Sequence, residues 1–418
     1  MTHPNDLQHM EPLELIRALR LAGRAREAQA LAEKLSASDD PGCHIGQLGI
    51  DLSFAGLHAE AEKHLERALA DESLSQRDRY IMSEELAIVQ FILGKFHLAN
   101  ERHRMIRGRA YAEAFHSLIL GDHPVWQATP PEKLLGMDEP VAGKRIFICL
   151  EGGFGDFVQF SRYIDLLLRE GARAVAVEQC PGWEEIFWQS NVVTLSMATA
   201  EQRTAELERC DRFTFGFSLY ARYQRSPYFP AENPGARIAI DPATVLSDEA
   251  SALLSADTKR PKIGLIWKSA SGVRQEPYRS IPLSRLESVM SNRACRFYSL
   301  QVGEISDEER AVMHRHDVTD MAPLLSTFGD TARVLEKLDL LITIDTGSGH
   351  LAGALNRLVW VLLSQTCDAR WLDCQRFTPW YPSMRLYRQT ELGNWTGPLA
   401  DMQVDLSAFS TQASAENP

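Results

Sequence analysis

Residues 145 to 160 read RIFICLEGGFGDFVQF. An apolar run ends in a turn holding Gly152, Gly153, Gly155 and Asp156, and beyond it apolar residues recur at 157, 160, 164, 167 and 168. The run RIFICL (145 to 150) predicts a strand, the 3.6-residue spacing predicts an amphipathic helix over 157 to 170, and ARAVAVEQ (172 to 179) predicts a second strand. This is one strand-helix-strand unit. A glycine turn at such a junction lets backbone approach a ligand, with the amides of the helix N-terminus pointing outward.

Toward the C-terminus the alternation continues. The short runs NVVTL, DRFTF and ARIAI are expected to extend the sheet, and a segment around Asp241 to Pro261 mixes a helix with polar residues. Strand and helix patterns then restart with KIGLIW (262 to 267), CRFYSLQ (295 to 301), DLLITID (339 to 345) and VWVLLS (359 to 364), separated by helices after Pro282, near Asp307 to His316, at Asp330 to Leu338 and from Ser348. Two parallel α/β domains follow, at residues 123–250 and 251–418, and ligands of such domains lie at the carboxyl ends of the strands. A facing pair places a substrate in the cleft between them.

Residues 1–122 differ. From Leu13 to about Arg109 the pattern is helical, and three glycine turns share a sequel: GRAREAQAL at Gly23, GLHAEAEKHL at Gly56 and GKFHLANERH at Gly94, with Ala28, Ala61 and Ala99 five residues after each glycine. The glycine intervals, 33 and 38 residues, lie close to the tetratricopeptide period, and the small residues let paired helices approach. The pattern predicts a short helix-turn-helix stack, which either binds a peptide or partner on its concave face or braces the rest. The proline- and glycine-rich stretch 123 to 144 is the expected boundary.

Composition narrows the classes. The formal net charge is −12 with 44% hydrophobic and 24% charged residues, so a globular protein without a nucleic-acid partner is expected. No apolar run is long enough for a membrane span, and the first residues, MTHPNDLQHMEPLE, lack the pattern of a secretory signal, so the expected location is cytoplasmic. The seven cysteines form no C-x-x-C pair and read as small apolar thiols; Cys367 and Cys374 in TCDARWLDC do not complete a zinc site.

The first glycine turn is not a dinucleotide fingerprint, because Val158 stands at the third glycine position, and the phosphate loop G-x-x-x-x-G-K-[ST] does not occur. Its distinctive residue is Asp156, which reads either as a helix cap or as a catalytic carboxylate. The segment DTGSGHLAGALNR, Asp345 to Arg357, repeats the arrangement: a strand ends at Asp345, small residues turn, and His350 opens a helix whose N-terminal dipole favours a diphosphate.

Asp-Thr-Gly-x-x-His-Leu-Ala-x-Ala-Leu, preceded in the other domain by Gly-x-Gly-Asp, resembles glycosyltransferase family 9, the ADP-heptose:lipopolysaccharide heptosyltransferases. RSIPL (279 to 283), SLQ (299 to 301) and WYPSMRLYRQ (380 to 389), behind a helical repeat, are similar to bacterial tetratricopeptide proteins carrying such a transferase. The likeness covers roughly residues 144 to 396. It implies GT-B architecture, two Rossmann-like domains with the acceptor on the first and a nucleotide-diphosphate sugar on the second, and inverting transfer to an acceptor hydroxyl. Carried over, Asp156 is the general base and Gly152, Gly153 and Gly155 form the acceptor loop. Arg279, Ser269 and Ser271 hold the diphosphate, Asp345, Thr346, Gly347, Ser348, Gly349 and His350 hold sugar and diphosphate, and Gln301 and Glu304 lie near the nucleoside.

Plainer roles stand beside these: a surface ion pair for Arg279, a core or helix-start histidine for His350, a solvated charge for Glu304, and packing for the aromatic WYPSMRLYR. No D-x-D carboxylate pair is present, so neither a metal nor another cofactor is expected. Phe154 and Lys268 depart from the family's usual residues. The reading is a metal-independent transferase with a protein acceptor chosen by the helical repeats, and a homo-oligomer is possible. The rivals are a lipopolysaccharide-core heptosyltransferase, a nucleotide-sugar epimerase and a non-catalytic repeat scaffold.

Overall fold

The computed structural model describes residues 10–38, 44–109, 131–180, 182–183, 185–187, 192–196, 199–224, 238–257, 259–269 and 278–416. The boundary stretch 123 to 130 and Ser271 lie outside the described residues. After Arg145, strand Arg145–Cys149 is apolar on both faces, each of them covered: Ile146 and Ile148 enter one hydrophobic cluster, Phe147 and Cys149 another. It is central in a four-stranded parallel sheet ordered Val192–Ser196, Ala174–Gln179, Arg145–Cys149, Arg212–Phe215. ARIAI does not extend this sheet. Ala239–Ile240 instead pairs antiparallel with Ile186–Phe187 as a separate two-stranded ladder.

The helix expected over 157 to 170 starts earlier and is interrupted. It runs as α-helix Phe154–Phe160, a 3-10 turn at Ser161–Tyr163, and α-helix Ile164–Arg169. Phe154 is its first residue, so the glycine turn is short and Asp156 lies within the first helical turn.

The second sheet is six-stranded and parallel, ordered Met384–Arg388, Val359–Leu363, Leu340–Ile344, Lys262–Ile266, Arg296–Ser299, Thr319–Asp320. Leu340, Ile342 and Ile344 join one cluster while Leu341 joins the other, the signature of a strand buried on both faces. The edge strand Met384–Arg388 and the closing helix Thr396–Glu416 were not anticipated from sequence.

Among the described residues between 12 and 106 there are six helices, Pro12–Leu21, Ala25–Ser36, Ile45–Phe54, His58–Leu69, Gln76–Ile92 and Phe96–Ile106, packed as consecutive pairs. Gly23, Gly56 and Gly94 end the first helix of each pair at φ of 75°, 82° and 72°, left-handed values that favour glycine. Ala28, Ala61 and Ala99 are buried where the partners approach. The helices also lean on the sheets. Phe91, Phe96 and Ala99 belong to the cluster that covers both sheets, and helix Gln76–Ile92 packs on Ala369–Trp371.

Candidate functional site

Segments that follow strands of both sheets converge on one cleft of about 1150 Å³. The glycine turn at 153–156 follows Arg145–Cys149, Lys268 and Ser269 follow Lys262–Ile266, Gln301 and Glu304 follow Arg296–Ser299, and Asp345 to Ser348 with His350 follow Leu340–Ile344. The two turns read from sequence thus meet at the carboxyl ends of their sheets. Their helices, Phe154–Phe160 and Gly347–Ala354, pack N-terminus to N-terminus. Glycine makes this possible: a Cβ on Gly155 would stand 2.8 Å from His350 Cδ2, and one on Gly347 3.1 Å from Phe154 Cδ1.

Asp156 is not the N-cap residue, which is Gly153, but it does cap the helix, as the N3 carboxylate that accepts the N-cap N–H. It sits in the first turn, and its Oδ2 accepts the Gly153 N–H at 2.6 Å. Gly152 has φ of 76°, and a Cβ there would fall 2.3 Å from the same oxygen. The other oxygen, Oδ1, pairs with the Arg370 guanidinium. Arg370 also donates from Nη1 to Gln159 Oε1 at 2.9 Å, and its Nε lies 3.0 Å from Asp368 Oδ1. Although burial disfavours the charge, these carboxylates hold the Arg370 guanidinium more firmly protonated than a free arginine. Sequence reasoning passed over Arg370, reading TCDARWLDC only for its two thiols. Its Asp-x-Arg spacing was the available signal.

On the opposite wall, Thr346 caps the second helix by accepting the Gly349 N–H at 3.2 Å, and Thr343 Oγ1 lies 2.9 Å from its hydroxyl. Arg279 is clamped to this turn, donating from Nε to the Asp345 carbonyl at 2.6 Å with Nη2 3.7 Å from Asp345 Oδ1. Burial would raise the Asp345 carboxyl, yet Arg279 and Arg370 outweigh it and hold Asp345 well below the usual carboxylate range. His350 is 3% exposed. Its Nδ1 meets the Tyr381 hydroxyl at 3.0 Å, its ring stacks on Trp371, and Nε2, 3.5 Å from Asp345 Oδ1, has no hydrogen-bond partner among the described residues. Burial pushes this ring toward the neutral form.

The remaining residues divide. Ser269 lines the cleft, its backbone N–H held by Ser280 Oγ at 3.1 Å. Gln301 is buried and accepts from the Trp267 and Lys268 backbone N–H groups at 3.1 and 2.9 Å, so its side-chain oxygen braces the end of Lys262–Ile266. Glu304 is exposed at the cleft edge, where its carbonyl accepts from Lys268 Nζ at 2.5 Å. The WYPSMRLYR aromatics pack: Trp380, Tyr381 and Tyr387 are buried, and Arg162 lies over Trp380 and Tyr381. Phe154 stacks on Phe328 with ring centroids 3.5 Å apart and forms part of the cleft wall with Trp183. The six described cysteines are free. Among the described residues no cluster of three His, Cys, Asp or Glu side chains forms a metal site, and no helix is long and apolar enough to cross a membrane.

No family model matches the chain. Protein FlbA of Caulobacter vibrioides is 28% identical over 364 residues, 83% of this chain and 59% of FlbA. The chain thus spans less than two thirds of that relative. Among solved structures, a glycosyl transferase family 9 protein from Veillonella parvula aligns with 68% of this chain and 100% of its own, at 11% identity and a TM-score of 0.44. The ADP-heptose lipopolysaccharide heptosyltransferase II of E. coli aligns with 64% of this chain and 99% of its own, at 15% identity and a TM-score of 0.40. These solved neighbours are glycosyltransferases.

Proposed function

We propose that the chain is an inverting, metal-independent glycosyltransferase that moves a sugar from a nucleotide-diphosphate donor to a hydroxyl on a protein acceptor. The observation that carries this is the meeting of Asp156 with the Asp345 to His350 turn in one cleft. A carboxylate with fixed orientation faces a helix N-terminus, a clamped arginine and a buried imidazole nitrogen 3.5 Å from Asp345 Oδ1. Such a wall suits a diphosphate, and the carboxylate suits removal of a proton from an attacking hydroxyl.

In this reading the donor's phosphates lie along Ser269, Arg279 and the amides of 346–350, with Ser271 contributing from outside the described residues and Gln301 and Glu304 bordering the nucleoside. The acceptor hydroxyl enters beside Gly152, Gly153 and Gly155, gives its proton to Asp156 and attacks the anomeric carbon as the nucleoside diphosphate departs. Arg279 and the helix N-terminus stabilise the charge that develops on the leaving phosphate. Residues 1–122 act as tetratricopeptide-like repeats choosing the acceptor, 123–250 as the acceptor half and 251–418 as the donor half. A second cavity supports a role for the helices: about 240 Å³ between them and the body, walled by Phe54, Ile88, Phe217 and Trp380, and sharing Asp368 and Arg370 with the cleft.

A thermal-shift screen of ADP-, UDP- and GDP-linked sugars tests the donor, since a ligand bound only by the folded chain raises its melting temperature. Mass spectrometry of proteins incubated with the binding donor tests the acceptor. No shift with any sugar nucleotide would overturn the reading.

A further inference from the structure

Arg370 bridges the two halves of the cleft. It comes from Ala369–Trp371, a short turn beyond strand Val359–Leu363, and reaches helix Phe154–Phe160 on the other sheet. Its side chain is 11% exposed. Three contacts hold the guanidinium: Asp156 and Asp368 share Nη2 and Gln159 takes Nη1, while Nε lies 3.0 Å from Asp368 Oδ1 without a hydrogen bond. The backbone is held as firmly. The Arg370 N–H donates to Asp368 Oδ1 at 2.9 Å, and its carbonyl accepts from the buried Trp380 indole at 2.6 Å.

We infer that Arg370 is the positioning residue for Asp156: it fixes the plane of the carboxylate across the two sheets so that one oxygen lone pair faces the cleft. This rests on the reading of Asp156 as the base. A carboxylate on the first turn of a seven-residue helix keeps two side-chain torsions, and the Gly153 N–H restrains only Oδ2. The guanidinium, held by Asp368 and Gln159, sets its Nη2 on Oδ1 and removes the remaining freedom. The proton cycle asks one more thing of the site. When Asp156 takes the acceptor's proton it becomes neutral, and a buried arginine paired with it alone would be left uncompensated. Asp368, bound to the same fork, keeps Arg370 paired and in place until the proton leaves. The turn bearing Arg370 also rests on helix Gln76–Ile92, so the N-terminal helices support the base from behind.

The test measures release of nucleoside diphosphate from the sugar nucleotide that most raises the parent's melting temperature, with affinity for ADP, UDP and GDP read separately by calorimetry. Arg370→Lys keeps a charge but not the fork. We expect kcat to fall roughly 10- to 100-fold, the scale of a base misplaced by about 1 Å, with donor KM and nucleoside diphosphate affinity within about threefold of the parent. In Asp156→Asn, adding Arg370→Lys should cost nothing further, because the arginine acts through Asp156. Gln159→Leu, which frees one arm of the fork, provides a milder version if Arg370→Lys melts far below the parent. Parent-like kcat in both Arg370→Lys and Gln159→Leu, or a parallel loss of nucleotide affinity, overturns the assignment while leaving Asp156 as base. Full turnover by Asp156→Asn overturns the base and Arg370's role together, as does the absence of turnover in the parent with every donor.

Discussion

The contact between the two helix N-termini can be tested at Gly155. An alanine Cβ there stands 2.8 Å from His350 Cδ2 and 3.4 Å from Gly347 Cα, so one side must yield. The imidazole has little room to retreat, being 3% exposed, bonded to Tyr381 at 3.0 Å and stacked on Trp371. Overpacking of this kind costs ~1–3 kcal/mol, while Gly→Ala at a helical position returns ~0.4–1 kcal/mol through the unfolded chain. The expected result for Gly155→Ala is therefore a net loss of about 1.3 kcal/mol, the difference between the middles of the two ranges (~2 and ~0.7 kcal/mol). Gly397→Ala is the control, because nothing lies within 4 Å of its Cβ in helix Thr396–Glu416, and there the substitution should be stabilising by ~0.4–1 kcal/mol. Urea denaturation at constant m reads both. Gly155→Ala as stable as the parent would mean that the two turns do not press together, and the cleft would lose its common wall.

Other expectations follow from single contacts. Arg279→Ala should weaken nucleoside diphosphate binding by about tenfold or more, since charge-assisted bonds contribute roughly 1.5–3 kcal/mol; equal calorimetric affinity would place Arg279 outside the phosphate site. His103 is buried, and burial with the nearby Arg107 charge pushes it down to about 3, whereas an unfolded histidine titrates near about 6.5. Between these values the unfolded chain binds the extra proton. Stability is thus fully present above about pH 6.5 and falls as acid is added, by up to about 1.4 kcal/mol per pH unit from this group. His103→Phe should flatten the stability profile between pH 7.5 and 5, and an unchanged slope would refute the assignment. Removal of residues 1–122 strips Phe91, Phe96 and Ala99 from the cluster over the sheets, so the shortened chain should lose its cooperative melting transition. Melting at the parent temperature would show the helices to be an independent layer.

Local patterns announced what local chemistry determines. The run RIFIC, the glycine turn and the 3.6-residue repeat after it sufficed for a strand, a close backbone approach and a helix, and DTGSGH did the same for the second turn. Gly23, Gly56 and Gly94 marked three helix pairs because left-handed backbone favours glycine. What stayed hidden was pairing over long chain distances. Nothing in TCDARWLDC says that its arginine reaches Asp156, and nothing in ARIAI says that it pairs with Ile186–Phe187 rather than the sheet edge. Gln301 shows the same limit: its motif suggested a ligand, and its side-chain oxygen is occupied by the backbone of Trp267 and Lys268. The helix interruption at Ser161–Tyr163 likewise leaves no mark on apolar spacing.

The most direct measurement is a comparison of parent and Asp156→Asn by rapid quench and calorimetry with the same binding sugar nucleotide. Equal donor affinity is expected, with a transfer rate on the order of 100- to 10,000-fold lower in the variant, the usual cost of losing a general base. Transfer at the parent's rate by Asp156→Asn, with the donor bound as tightly, would contradict this expectation.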